Sequence, residues 1–329
     1  MTLPEAGIPE TTTNKKIWQI VDRWLEVHAG ERFDLDTICR QLEIHERENR
    51  HSVAQKLSYE VRKEHLEKSD RVYRSVDNKI TSIDWVNATE GELLDIHWPF
   101  GHEDGSVFSF DGRVKISPGD LMVIAGVSNM GKTTFCLNFL WENMDIFHCR
   151  LMGNEYQASK FKRRVSHMQW GDPLTEHGAP KFDLIERYDG WKDAVDPDAI
   201  NIIDWINLDD KFYMIGSILQ GIRSKLRKGI ALIALQKNAG KELGTGGGFS
   251  EHLASLYLAL DFERITVKKA KEWQTVNPNG AMDGFTIVNS GTSFHNIRSI
   301  QKCPKCYGTG IKRGSKCEDC RGTGYVDRD

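Results

Sequence analysis

Residues 126–133, Gly-Val-Ser-Asn-Met-Gly-Lys-Thr, follow the pattern G-x-x-x-x-G-K-[ST]. Glycines at both ends let a backbone wrap a polyphosphate, so that successive N–H groups and a following helix N-terminus face negative oxygens. Gly126, Ser128, Asn129, Gly131, Thr133 and Thr134 are therefore candidate nucleotide contacts. Lys132 is spaced to reach the β- and γ-phosphates of ATP, and the Thr133 hydroxyl to ligate Mg²⁺. Two carboxylates complete a hydrolytic set. Asp204 ends the apolar run Ala199-Ile-Asn-Ile-Ile. A charge there needs a reason, and holding Mg²⁺ through its hydration shell supplies one. Glu155 follows the run Cys149-Arg-Leu-Met-Gly-Asn154. A carboxylate at such a strand end can orient and polarise an attacking water while Lys132 and the metal stabilise developing charge.

A second chemistry stands at the far end of the chain. Cys303-Pro-Lys-Cys306 and Cys317-Glu-Asp-Cys320 are two C-x-x-C pairs, each continued as x-Gly-x-Gly. Four thiolates from two tight knuckles suit the tetrahedral demand of a structural Zn²⁺ ion. The remaining cysteines, Cys39, Cys136 and Cys149, read as small apolar fillers. Lys302, Lys305, Lys312, Arg313 and Lys316 give the tail a basic character that would serve a nucleic-acid contact or a protein dock.

These residues need elements to hold them. Leu121–Ala125 is an uninterrupted apolar run after the turn signal Ser-Pro-Gly-Asp at 117–120, as expected of a buried parallel strand. Further strands are expected at 148–153, 200–204, 230–235, 256–260, 265–269 and 285–288, and helices near 132–145, 157–168 and 211–228. Such alternation predicts an α/β domain on a mainly parallel sheet, with the functional strand ends on one edge. Residues 1–14 read as a flexible tail. Residues 15–76 read as helices, with Asp34 capping the second, the third running from Arg47 to Lys68, and a short extended piece at 71–76. That order resembles a winged helix-turn-helix domain, and Arg47, Arg50, His51 and Lys56 would form its basic edge. Residues 77–116 read as a connector, 117–300 as the ATPase domain and 301–329 as the zinc tail.

The stretch Ser117-Pro-Gly-Asp-Leu-Met-Val-Ile-Ala-Gly-Val-Ser-Asn-Met-Gly-Lys-Thr-Thr134 resembles the entry to the ATPase core of DnaB-type replicative helicases, within the wider RecA-like family. Glu155 and Asp204 stand in the family's order, and the likeness spans about residues 117–290. The resemblance implies a RecA-like P-loop ATPase core, ATP hydrolysis and a hexameric ring acting on DNA, single-stranded by preference. It makes Gln236 the polar sensor that couples the γ-phosphate to DNA-binding loops. It places the segment 237–248 in a central channel, with Lys237 and Lys241 against nucleic-acid phosphates. It also implies that Lys269 or Lys271, sharing one strand face, reaches the phosphate bound by a neighbouring subunit. The C-x-x-C-x-G-x-G pair resembles the zinc-binding repeats of DnaJ-type chaperones. A nucleotide-switched mediator, loader or regulator on DNA, without helicase activity, is the alternative reading.

Composition sets the outer bounds. The 329 residues are 39% hydrophobic and 28% charged, which excludes a disordered polyelectrolyte. No apolar run approaches the ~18 residues of a membrane span, and the first residues lack a signal-peptide core, so a cytoplasmic protein without a membrane partner is expected. By analogy, a bacterial or phage-infected cell would suit it. The net charge of −3 excludes a globally basic coat but averages over local lysine clusters.

Overall fold

In the computed structural model, residues 12–76, 86, 93–206 and 212–328 are described. The expected tail, the start of the connector and the start of the 211–228 helix fall partly outside them. The chain divides into two compact units, Met1–Ala88 and Thr89–Asp329.

The first unit comprises α1 (Thr12–Val27), β1 (Arg32–Asp34), α2 (Leu35–Gln41), α3 (Arg47–Arg62), β2 (Leu66–Ser69) and β3 (Val72–Ser75). The strands form an antiparallel sheet in the order β1-β3-β2. Val21, Trp24, Ile38, Val53 and Leu57 are buried together, because helical spacing puts them on facing sides of α1, α2 and α3. Asp34 caps α2 as expected: its carboxylate accepts the Thr37 N–H at 2.7 Å, which draws its pKa down. α3 is shorter than the sequence pattern predicts. Glu64 adopts φ of 61°, and the His65 N–H closes back on the Glu60 carbonyl, so the chain turns and Leu66 begins a strand.

The second unit is α/β, built on a ten-stranded sheet. In chain order its elements are β4 (Leu121–Gly126), α4 (Lys132–Asn143), β5 (Cys149–Gly153), α5 (Ala158–Val165), β6 (Phe182–Glu186), α6 (Trp191–Ala194), β7 (Ile200–Ile206), α7 (Ile215–Arg223), β8 (Ile230–Gln236), α8 (Gly248–His252), β9 (Leu256–Asp261), β10 (Arg264–Ala270), β11 (Met282–Val288), β12 (Ser293–Lys302), β13 (Ile311–Lys312), β14 (Ser315–Lys316) and β15 (Tyr325–Asp327). The sheet order is β15-β12-β11-β10-β9-β4-β8-β7-β5-β6. From β6 to β9 the pairing is parallel, and from β9 to β15 antiparallel. The strand before the phosphate loop, β4, is buried at every position and lies between β8 and β9. Both faces of the parallel half are covered, one by α4 and aromatic residues, the other by α6 and α7, which explains the continuous apolar runs.

Two expectations about boundaries change. The connector is not a spacer over its described part: Trp98, Phe108, Phe110 and Ile116 are buried in the core with Phe139 and Phe294. Asp104 fixes it to β12 by accepting the Asn296 N–H at 2.6 Å. Nor is the cysteine tail detached, since β15 pairs with β12 and returns the chain to the sheet. Strands β6, β12 and β15 were not expected from sequence; β6 carries only one buried residue and β15 none. Among the described residues no helix is long and apolar enough to cross a membrane.

Candidate nucleotide site and cysteine cluster

The phosphate loop joins β4 to α4. Gly131, at the helix N-cap, takes φ of 99°, a left-handed conformation that favours glycine. Lys132 is buried, and its ammonium donates to the carbonyls of Gly126 and Val127, each at 2.9 Å, and to Gln236 Oε1 at 3.2 Å. Burial lowers its pKa, against the opposing pull of Asp204 and Glu155. Ser128 and Asn129 are exposed, and Asn129 has φ of 61°. The Thr134 hydroxyl does not face the loop. It donates to the Gly291 carbonyl at 2.7 Å and ties α4 to the β11–β12 turn.

Asp204 lies inside β7, 4% exposed, two residues before the strand end at Ile206. Its Oδ2 accepts the Tyr156 hydroxyl at 2.7 Å. Its Oδ1 is buried without a hydrogen bond. Burial raises the carboxyl's pKa, while Tyr156, the nearby Thr133 hydroxyl, Arg164 and Lys132 oppose that rise. An orphaned carboxylate oxygen close to a hydroxyl is costly in a protein interior and is the donor set that a hard divalent cation satisfies. Thr133 and Asp204 therefore fit Mg²⁺, which would neutralise phosphate charge there.

Glu155 is exposed just beyond β5, and its Oε1 accepts the Trp205 indole N–H at 3.2 Å. Gln236 ends β8, the strand between β4 and β7. Neighbouring strand ends thus bring together Lys132, Asp204, Glu155 and Gln236. Sequence reasoning missed Tyr156, Trp205 and Arg164. Tyr156 and Trp205 are chain neighbours of the two acids, a signal available in the sequence. Arg164 becomes visible only when α5 is packed against the β11–β12 turn.

The lysines divide. Lys237 is not a surface contact: it is buried and paired with Asp261 at 2.5 Å, with Arg264 on the same carboxylate at 2.8 Å. Lys237 thus shares Asp261 with Arg264 and, being buried, does not present its ammonium to solvent. Lys241 is exposed and lines a cleft of about 630 Å³ with Trp205, Gln236 and Gly244–Gly247. The glycine segment is pinned rather than loose, since the Gly244 N–H meets the Tyr257 hydroxyl at 2.8 Å and Thr245 meets the Gln236 carbonyl through both N–H and hydroxyl. Lys269 lies within β10, which ends at Ala270, so Lys271 stands just beyond the strand, and the two ammonium groups have different settings. Lys269 Nζ caps α8 through the carbonyls of Glu251 and His252, at 2.6 and 3.1 Å, whereas Lys271 is exposed. In the first unit, Lys56 is buried between Asp22 and Glu60, and Arg50 pairs with Asp36, which removes both from a basic edge. Arg47 and His51 stay exposed.

Cys303, Cys306, Cys317 and Cys320 are buried, with all four sulfurs within 4.8 Å of one another. The closest pairs, Cys303–Cys317 and Cys306–Cys320, are 3.9 and 3.7 Å apart. Zinc–sulfur bonds of about 2.3 Å at tetrahedral angles place sulfurs about 3.8 Å apart, so the cluster fits Zn²⁺. The repeat folds reciprocally: the Cys303 N–H binds the Gly324 carbonyl and the Cys317 N–H the Gly310 carbonyl, each at 2.8 Å. A Cβ on Gly310 would lie 2.3 Å from the Gly322 carbonyl oxygen, and one on Gly324 2.4 Å from that of Gly308. The x-Gly-x-Gly continuation is therefore what lets the two knuckles close. Although burial acts upward, N–H groups of Gly310 and Gly308 and neighbouring thiols hold Cys306 at about 7, whereas Cys317, despite the Cys320 N–H, is pushed up to about 11 by burial and by its contacts with Cys320 and Cys303. The other three cysteines, Cys39, Cys136 and Cys149, are buried and free, and burial raises their pKa values, that of Cys149 to about 12.

No protein-family model matches the chain, and no curated protein matches its sequence. Among solved structures it is similar to a KaiC-like protein from the hyperthermophilic archaeon Pyrococcus horikoshii, at 15% identity and a TM-score of 0.46, over 60% of this chain and 98% of that one.

Proposed function

We propose that the protein is a RecA-like, ATP-hydrolysing motor on DNA, a helicase of replication or recombination that assembles as a hexameric ring. The observation that carries this reading is the meeting, at adjacent strand ends, of Lys132, Asp204, Glu155 and Gln236 around one phosphate loop. In this reading the loop N–H groups and Lys132 bind the triphosphate, and Mg²⁺ on Thr133 and Asp204 supplies countercharge. Glu155 takes the proton of a water attacking the γ-phosphorus, and ADP leaves as the bond to its β-phosphate oxygen breaks. Lys241 in the cleft and Lys271 on the surface are the cations available for a strand and for a neighbouring subunit's phosphate. The cysteine cluster holds structural Zn²⁺ beside the sheet. The test is ATP turnover with and without single-stranded DNA, together with strand displacement. DNA-stimulated turnover with displacement supports the motor, and neither supports abandoning it.

A second reading, a nucleotide-switched mediator or loader on DNA, is favoured by Lys269. Its ammonium is committed to α8 within its own chain, which leaves Lys271 alone to reach across a subunit boundary. Electron microscopy with ATP analogue and DNA separates the two: closed rings favour the motor, filaments the mediator.

A further inference from the structure

Glu155 and the glycine-loop cleft share one side chain. Among the described residues the Glu155 carboxylate accepts a single hydrogen bond, from the Trp205 indole at 3.2 Å. Trp205 follows Asp204 directly on β7, is partly buried against the core, and lines the cleft of about 630 Å³ together with Gly244–Gly247. Gln236 lines the same cleft. Its side chain holds Lys132, and its carbonyl holds Thr245 of the glycine segment. Two groups assigned to hydrolysis, the base and the phosphate lysine, are thus each one contact from the cleft.

An N–H donor on one carboxylate oxygen fixes the plane of the group, so the second oxygen acquires a set direction. A flat indole in a cleft that also presents Lys241 suits a single-stranded nucleic acid, whose bases stack on aromatic faces and whose phosphates seek cations. Resting on the proposed ATPase reading, we infer that Trp205 is a positioning residue: a strand bound in the cleft stacks on the indole and steadies the N–H contact that already holds Glu155, fixing its water-orienting geometry. Strand binding is in this way transmitted to the chemical step through one side chain.

The test compares ATP turnover of the full chain and of Trp205→Phe, with and without saturating oligo(dT), alongside oligo(dT) affinity and KM for ATP. Phenylalanine keeps a stacking face and removes the N–H. Trp205→Met, which removes the N–H with a flexible side chain that packed sites tolerate, is the second variant. The expected result is that the stimulation by oligo(dT) falls below about twofold in Trp205→Phe, while KM for ATP and oligo(dT) affinity stay within about threefold of wild type. Trp205→Met should lose stimulation likewise. Full stimulation in either folded variant would overturn the inference while leaving the ATPase reading intact. So would a loss of oligo(dT) affinity that saturation restores together with stimulation, because Trp205 would then only bind the strand. Wild-type turnover indifferent to oligo(dT) would remove the DNA-motor reading, and this inference with it.

Discussion

The nucleotide site and the cysteine cluster reach their geometry by opposite routes. The cluster is local: four ligands lie within 18 residues, and the repeat's glycines let the two halves exchange hydrogen bonds directly. The nucleotide site is distributed. Lys132, Glu155, Asp204 and Gln236 span 105 residues, and only parallel pairing among β4, β8, β7 and β5 brings them together. A local site depends on its ligand for cohesion, whereas a distributed site inherits rigidity from the sheet beneath it. The two should therefore fail independently and under different insults.

Chelation gives the largest expected effect. Structural zinc sites contribute roughly 10–16 kcal/mol of binding energy that is also folding energy. Removing zinc should abolish amide-exchange protection across 303–327 and leave β4, β8 and the melting of the sheet nearly unchanged. Loss of protection in β4 would show that the two regions are one cooperative unit. Next is Glu155→Gln, which keeps the indole contact's geometry but removes the base. Turnover should fall roughly 10²–10⁴-fold, with nucleotide affinity and zinc content retained. A smaller loss would mean that water is oriented by another group.

Lys237 and Lys241 sharpen the comparison inside one loop. Lys237→Ala leaves a mostly buried Asp261 with only Arg264 as partner and should cost about 3 kcal/mol in denaturant unfolding. Lys241→Ala should leave stability unchanged and weaken oligonucleotide binding, more so at low salt. Equal destabilisation by both would contradict the buried pairing.

The smallest effect is acid sensitivity at the former connector. Asp104 is held at about 2 by Ser106, with the Asn296 N–H and His295 also favouring its ionised form. Its folded pKa lies below the unfolded value of 3.8, so its contribution is complete above that value and is lost as pH falls toward 2. Asp104→Asn should flatten the stability profile between about pH 4 and 2 and leave it unaltered near neutrality.

Legibility in the sequence follows the same local-to-distributed division. The phosphate loop, Asp204 at the end of an apolar run and the two C-x-x-C pairs are visible because their chemistry depends on short spacing. The strands of the parallel half, apart from the edge strand β6 with its single buried residue, are visible because burial on both faces demands unbroken apolar runs. What could not be read depends on packing between distant segments. Lys237 and Lys241 are both lysines in a glycine-rich segment, and only the approach of β9 with Asp261 distinguishes a buried cation from a surface one. Phe108 and Phe110 lie in a stretch without periodicity, yet Phe108 packs edge-on against Phe285 and Phe294 and Phe110 against Trp98. The helical reading through Leu66 failed because one left-handed residue, Glu64, ends α3, and glutamate carries no signal for that conformation.

The proposed function requires that the phosphate loop at 126–133 bind and hydrolyse ATP. Its most direct test is ATP turnover by Lys132→Ala, measured beside wild type on protein whose melting and zinc content are checked to be unchanged. Loss of turnover to background with an intact fold is the result predicted, because the lysine that Gln236 and the loop carbonyls hold is the one placed to reach the phosphates. Wild-type-like hydrolysis by Lys132→Ala would contradict the assignment of this loop as the catalytic centre.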